Sequence, residues 1–316
     1  MFLFNLQSKG RKMPPQNFDV VLLGHFAKDK DIIDGKERDV LGGAVYYGAF
    51  PLKMMGIKVA VVTKLARKDF PQLSIFKRAG ISIFAREGPQ TTGIRNVYFP
   101  EDPDKRQSYP LGFAGLFSQK DFPNIEAKII HIGALIKGEM SLDLIRSLSK
   151  KADLSLDVQG FVRVKEGARL VLKDWDEKRA ALPYLKYLKA DIIEVRLLTE
   201  TSDLPTAAQL LARMGPSEVL ITHKEGVFLL AKGKFYQAPF RPKCLKGRTG
   251  RGDTCISTYI AKRLTLPPDK ALYFAAALTT LKLEKEGPFR GNIEDVDALS
   301  KEFELDLAAN SISDIV

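Results

Sequence analysis

Short runs of β-branched and aliphatic residues recur along the chain at Val20–Leu23, Val59–Thr63, Ile129–Ile132, Leu154–Asp157, Ile192–Val195 and Val219–Thr222. Unbroken apolar runs of this length predict strands buried on both faces. Between them apolar residues return every three or four positions, over Ala44–Met55, Leu142–Ser149, Lys178–Leu188 and Thr206–Met214, which predicts helices. Cys255, Ile256, Tyr259, Ile260 and Leu264 repeat that spacing, and a long helical pattern runs from about Lys270. Strands alternating with helices predict a parallel sheet covered on both sides.

Two stretches interrupt the alternation. Asp31–Leu41 carries the hairpin signal Asp34-Gly35, and Ile94–Phe99 with Arg106–Pro110 flanks the turn-rich Glu101-Asp102-Pro103-Asp104. Together they predict a small β-lid, from about residues 29–41 and 92–112, over the strand ends; separately they are surface hairpins. Gly42-Gly43 leads directly into the helix at Ala44, and Asp29 follows the first strand, where α/β folds place ligand-contacting groups. Asp157, Gln159 and Arg163 follow the fourth apolar run, as either polyol-binding groups or a structural hydrogen-bond knot.

The stretch with most chemistry is Lys246-Gly247-Arg248-Thr249-Gly250-Arg251-Gly252-Asp253-Thr254, which opens into the helix containing Cys255. The first amides of a helix lack partners and carry its positive dipole end, and glycines let an anion reach the main chain. A carboxylate in the same turn can accept a proton from an alcohol while the amides relieve charge on a transferring phosphoryl group. The plainer alternative is that Asp253 only caps its own helix. Arg251-Gly252-Asp253 is also an adhesion tripeptide, but nothing else in the chain points to export.

Composition narrows these readings. A chain of 316 residues, 45% hydrophobic with nineteen Phe, has the makings of a large folded core. The net charge of +11 points to an anionic partner. Arg241, Lys243, Lys246, Arg248 and Arg251 crowd the glycine turn with no long basic run, favouring a nucleotide phosphate over nucleic acid. Cys244 and Cys255 make no disulfide framework, which suits the cytoplasm, and no apolar run has membrane-spanning length. Residues 1–16 read as an extension, with Met13 as an alternative start, ahead of one domain over 17–316. Neither a Gly-x-Gly-x-x-Gly turn after the first strand nor a Walker loop occurs, which disfavours a dinucleotide oxidoreductase.

In this order, Gly24-His25-Phe26-Ala27-Lys28-Asp29, Gly42-Gly43, Asp157 to Arg163 and Thr249 to Thr254, with Gly287-Pro288-Phe289, resemble the ribokinase (phosphofructokinase-B type) carbohydrate kinases. The resemblance covers about residues 18–300. It implies a three-layer α/β/α sandwich with a β-lid that often serves as a dimer contact, and transfer of the ATP γ-phosphoryl group to an alcohol with Mg2+. Asp253 matches the catalytic base, and Gly250, Arg251 and Gly252 the anion hole. Asp29, Gly42 and Gly43 match acceptor-holding positions; Tyr47, Asp157, Gln159 and Arg163 join them as substrate-side candidates. Thr222, Gly226, Arg248, Thr249 and Gly287 are the nucleotide-side candidates.

Departures from the family pattern are Gly247-Arg248 in place of Asp-Thr, Arg251 in place of a small residue, and no Asn-x-x-Glu motif beyond a strand ending near Val195. Glu194 or Glu200 is left to organise metal-bound water. The Asp-x-Gln-x-x-x-Arg segment resembles the inositol- and polyol-kinase branch, so the expected acceptor is a sugar or cyclic polyol. The alternatives are a nucleoside kinase, with Phe26, Tyr46, Tyr98 and Phe113 around a base, and a catalytically lapsed nucleotide- or sugar-binding protein. Asp253 argues against the latter, since a pure binder needs no base.

Overall fold

The computed structural model describes residues 15–99 and 102–313. Residues 1–14, with Met13, and Glu101 of the turn-rich segment lie outside them. The strands are β1 (Gln16–Leu23), β2 (Ala27–Ile33), β3 (Lys36–Gly42), β4 (Val59–Leu65), β5 (Ser82–Glu87), β6 (Gly93–Phe99), β7 (Asp102–Gly112), β8 (Ile125–Ile132), β9 (Asp153–Asp157), β10 (Arg163–Glu166), β11 (Arg169–Leu172), β12 (Tyr187–Asp191), β13 (Glu218–Thr222), β14 (Gly226–Ala231) and β15 (Lys234–Pro239). The helices are α1 (Ala44–Met54), α2 (Ser74–Arg78), α3 (Leu142–Ser149), α4 (Gln159–Val162), α5 (Lys178–Ala181), α6 (Ile192–Thr199), α7 (Leu204–Ala212), α8 (Arg251–Lys262), α9 (Pro268–Leu283) and α10 (Ile293–Ser313).

Nine strands form the main sheet in the order β15-β14-β13-β12-β9-β8-β1-β4-β5. It is parallel from β5 to β13, and at one edge β14 runs antiparallel to its neighbours β13 and β15. Alternation along β1 shows why the run had to be apolar throughout. Val20 and Leu22 face the core shared with α1, α8 and α9, whereas Val21 and Leu23 face the core shared with α3, α6 and α7. These two cores are the two interfaces of a three-layer α/β/α sandwich.

The lid is a second sheet of six strands, β10-β11-β7-β6-β2-β3. Its β2–β3 hairpin turns at Asp34 and Gly35, with φ of 50° and 72°, the left-handed pair that the Asp-Gly signal predicts. The lid is larger than the two expected segments, because Arg163–Glu166 and Arg169–Leu172 return from the core to pair with each other and with β7. Asp102–Asp104, read from sequence as turn, belong to β7.

One strand was misplaced by its pattern. Ile192–Val195 is the start of α6, and the strand is β12, which begins at the last two residues of the Lys178–Leu188 segment expected to be helical and ends just before Ile192. Asp191 accepts hydrogen bonds from the amides of Ile193 and Glu194 at 2.9 and 2.8 Å, while Glu194 reaches back to the Asp191 amide at 2.7 Å. This capping box starts a helix whatever the β-branching of the next two residues. Ile192 and Ile193 are accordingly exposed, and the buried strand contains Lys189, which interrupts its apolar run. Among the described residues, no helix is long and apolar enough to cross a membrane.

Candidate active site

The glycine turn between β15 and α8 is held in a conformation that its residues dictate. Gly250 is the residue before α8, in the left-handed region at φ 82°. A Cβ there would stand 2.1 Å from Cγ of Tyr47, so the aromatic ring closes one side of the turn. A Cβ on Gly252 would stand 2.8 Å from the Lys189 Nζ. Asp253 lies in the first turn of α8 but makes no capping bond, so the plainer reading of this carboxylate does not hold. Among the described residues, no acceptor faces the amides of Gly250, Gly252 and Asp253. These are unpaired donors beside a free carboxyl, at the positive end of a twelve-residue helix.

The charges behind the turn come from the C-terminal end of β9, the middle of β12 and the first turn of α6. Lys189 and Asp157 are opposite each other in register, and the Lys189 Nζ lies 2.9 Å from Asp157 and 3.7 Å from Glu194. Asp157 also accepts the Gln159 amide at 3.1 Å, so its carboxylate is committed to an ion pair and to the start of α4. Burial pushes Glu194 up to about 8, with Lys189 opposing. Burial and then the Asp157 charge push Asp253 up to about 6, while Lys189, Lys282 and Arg163 hold it down. A carboxylate near 6 is a proton acceptor at neutral pH and a better one than an ordinary aspartate.

Because β12 ends at Asp191, the acidic pair directly after the strand is Asp191-x-x-Glu194. Glu200 lies beyond the far end of α6, exposed, at φ 60°, so of the two acidic candidates only Glu194 is beside the site. These residues do not fit a directly held magnesium ion. The Lys189 ammonium already sits between Asp157 and Glu194, and no group of three His, Cys, Asp or Glu side chains is gathered among the described residues.

The inner face of the lid carries the other half of the site. Asp29 accepts the Ile94 amide at 2.8 Å, and its Oδ2 lies 2.3 Å from where a Cβ on Gly42 would be, so the glycine is what makes room for this carboxylate. Burial raises Asp29 to about 7. Two residues along the same strand, Asp31 accepts from Asn96 at 3.1 Å, and Asn96 accepts from Ser108 at 2.8 Å. This polar strip of Asp31, Asn96 and Ser108 was not singled out from sequence; the period of two from Asp29 to Asp31 is the signal for its first member. Gly43 precedes α1 at φ 94°, where a Cβ would meet the His25 carbonyl at 2.3 Å.

A cleft of about 590 Å³ lies between the lid and the glycine turn, with Asp31, Tyr47, Tyr98, Arg248, Thr249 and Gly287 among its walls. Arg38 and Glu286, 3.0 Å apart, tie the lid hairpin to the far wall. Arg248, Thr249 and Gly287 thus come together, whereas Thr222 and Gly226 form a separate tight turn at the sheet edge, closed by the His223 amide on the Gly226 carbonyl at 2.9 Å. That turn lies near Arg251, whose charge adds to the burial that lowers His223. Arg163 is buried, with its guanidinium 3.4 Å from the Leu135 carbonyl. Phe26 is a core residue packed on Tyr46 and Phe76, and Phe113 packs on His25. Lys189 and Lys282 were missed altogether, since a lone lysine in a buried strand or a long helix has no local signal.

No family model matches the chain. Among curated proteins it is similar to a cytidine kinase of Thermococcus kodakarensis, 26% identical over 255 residues that make up 77% of this chain and 87% of that protein. Among solved structures it is similar to a pyrophosphate-dependent kinase in the ribokinase family in its sulfate complex, 39% identical, covering 88% of this chain and 99% of that one at a TM-score of 0.83. A pyrophosphate-dependent kinase of the same family complexed with a pyrophosphate analog and myo-inositol is 38% identical over the same shares, with a TM-score of 0.82. A third structure concerns a pyrophosphate-dependent myo-inositol-1 kinase converted into a myo-inositol-3 kinase by changing one asparagine and one serine to leucine; it is 36% identical over 90% of this chain and 99% of that one, TM-score 0.82. With this fold, this turn and relatives of this identity over nearly their whole length, the chain belongs to the ribokinase family and is a phosphotransferase with an alcohol group as acceptor.

Proposed function

We propose that this chain transfers a phosphoryl group from inorganic pyrophosphate to one hydroxyl of myo-inositol or a closely related cyclic polyol. The observation that carries the reading is Asp253, a carboxyl near 6 in the same turn as the unpartnered amides of Gly250 and Gly252. The acceptor hydroxyl gives its proton to Asp253 as its oxygen bonds to phosphorus, and the bond from that phosphorus to the bridging oxygen breaks. The glycine amides meet the charge on the transferring group, and inorganic phosphate leaves.

ATP is the donor that the family resemblance implies; the three pyrophosphate-dependent relatives support pyrophosphate instead. So does the crowding of Lys246, Arg248 and Arg251 about the turn, which suits a donor made wholly of phosphate. For the acceptor, Asp29, Asp31, Asn96 and Ser108 offer directional partners to adjacent ring hydroxyls. The relative whose product changes with an asparagine and a serine supports assigning Asn96 and Ser108, the hydrogen-bonded pair on β6 and β7, to the choice of hydroxyl. The test is phosphate release from pyrophosphate and ADP release from ATP across inositol isomers, ribose and cytidine, for wild type and Asp253→Asn. Pyrophosphate with an inositol is expected to turn over, and Asp253→Asn to lose about 10²- to 10⁴-fold. Turnover confined to ATP with cytidine, as the Thermococcus relative suggests, would overturn both donor and acceptor.

A further inference from the structure

Lys282, in the last turn of α9, is 2% exposed, yet its Nζ is paired with no carboxylate among the described residues. Instead it donates to two main-chain carbonyls, those of Gly247 and Thr249. It also lies 5.2 Å from the centroid of the Tyr47 ring, the same ring that stands against Gly250. An ammonium desolvated in this way is retained only where strong acceptors replace its water. Two carbonyl oxygens and an aromatic face are the ligand set of a small monovalent cation, here tethered to the chain.

The position of this cation has a geometric consequence. In a trans peptide the carbonyl and the following N–H point in opposite directions. With the Gly247 and Thr249 carbonyls drawn back to Lys282, the amides of Arg248 and Gly250 are turned the other way. The Gly250 amide is one of those with no acceptor among the described residues. The Tyr47 ring, against which both Gly250 and Lys282 stand, limits rotation of the turn. We propose that Lys282 is a positioning residue, a built-in monovalent cation that holds the loop from Gly247 to Gly250 with its amides toward the donor phosphates. The inference rests on the reading of the glycine turn as the donor cradle.

Lys282→Met keeps the stem and removes the charge. It is expected to lower kcat/KM for the donor by about 100-fold, the scale of losing one anion-hole donor, with KM for the acceptor within about twofold. Because the two carbonyls remain, ammonium or potassium ions should restore activity at least about tenfold in a saturable way, and tetramethylammonium at the same ionic strength should not. Lys282→Gln, which keeps neutral N–H donors, is expected to lose less, and it takes the same two readouts if the Met variant does not fold. Activity within about threefold of wild type, or an equal loss toward donor and acceptor without any cation response, would overturn the proposal. Asp253→Asn run alongside separates the two levels. If it is inactive while Lys282→Met is normal, only this inference fails; if it is active, the reading of the turn fails with it.

Discussion

Gly250→Ala puts the site geometry to its sharpest test, because the structure opposes the extra methyl twice. The residue sits at φ 82°, where a Cβ costs roughly 1–2 kcal/mol. The new carbon would also be 2.1 Å from Cγ of Tyr47 and 2.2 Å from Cδ1, against an ordinary contact of about 3.5–4 Å. Ring or turn must then move by more than about 1 Å, and overpacking of that kind costs roughly 1–3 kcal/mol. The sum is about 2–5 kcal/mol of stability, measurable by urea denaturation. A displacement of about 1 Å at the anion hole also predicts a loss of about 100-fold in kcat. Tyr47→Ala separates the two terms. In the double variant the clash is gone while the backbone term stays, so the double-mutant cycle should show a favourable coupling of about 1–3 kcal/mol. A Gly250→Ala protein within about 0.5 kcal/mol of wild type, with unchanged kcat, would refute both the positive φ and the Tyr47 wall.

The remaining predictions concern the charges behind the turn. Since Asp253 must be ionised to accept a proton and stands near 6, kcat/KM should rise with pH through about 6 and level off above 7, checked by a pH–rate profile. Lys189→Met removes a cation that favours the Asp253 carboxylate, so the rising limb should move to higher pH. The same change leaves Asp157 buried without its counter-ion, a loss of about 3–5 kcal/mol at neutral pH. Thermal unfolding of the two proteins at pH 7 reads that loss.

Local chemistry made much of this protein legible from sequence. β1, α1, α3 and the opening of α8 follow from apolar runs, helical spacing and glycines, because each is decided by residues that are neighbours in the chain. The Asp34-Gly35 turn and the need for glycine at 42, 43 and 250 are of the same kind. Where two local signals competed, the pattern misled. Ile192-Ile193 read as strand, but the Asp191–Glu194 capping box is a hydrogen-bonding device that fixes a helix start, and it displaced the strand to Tyr187–Asp191.

By itself the sequence determined the alternation of strands and helices, the glycine turn and the identity of Asp253 as its carboxylate. Tertiary structure alone decided which groups surround that carboxylate. Lys189 comes from the middle of a strand, Lys282 from the end of a helix, and Asn96 and Ser108 from two lid strands, and none is near Asp253 in the chain. Their roles are set by desolvation and Coulomb interaction, which depend on distance in space and on burial, and neither is encoded in local spacing.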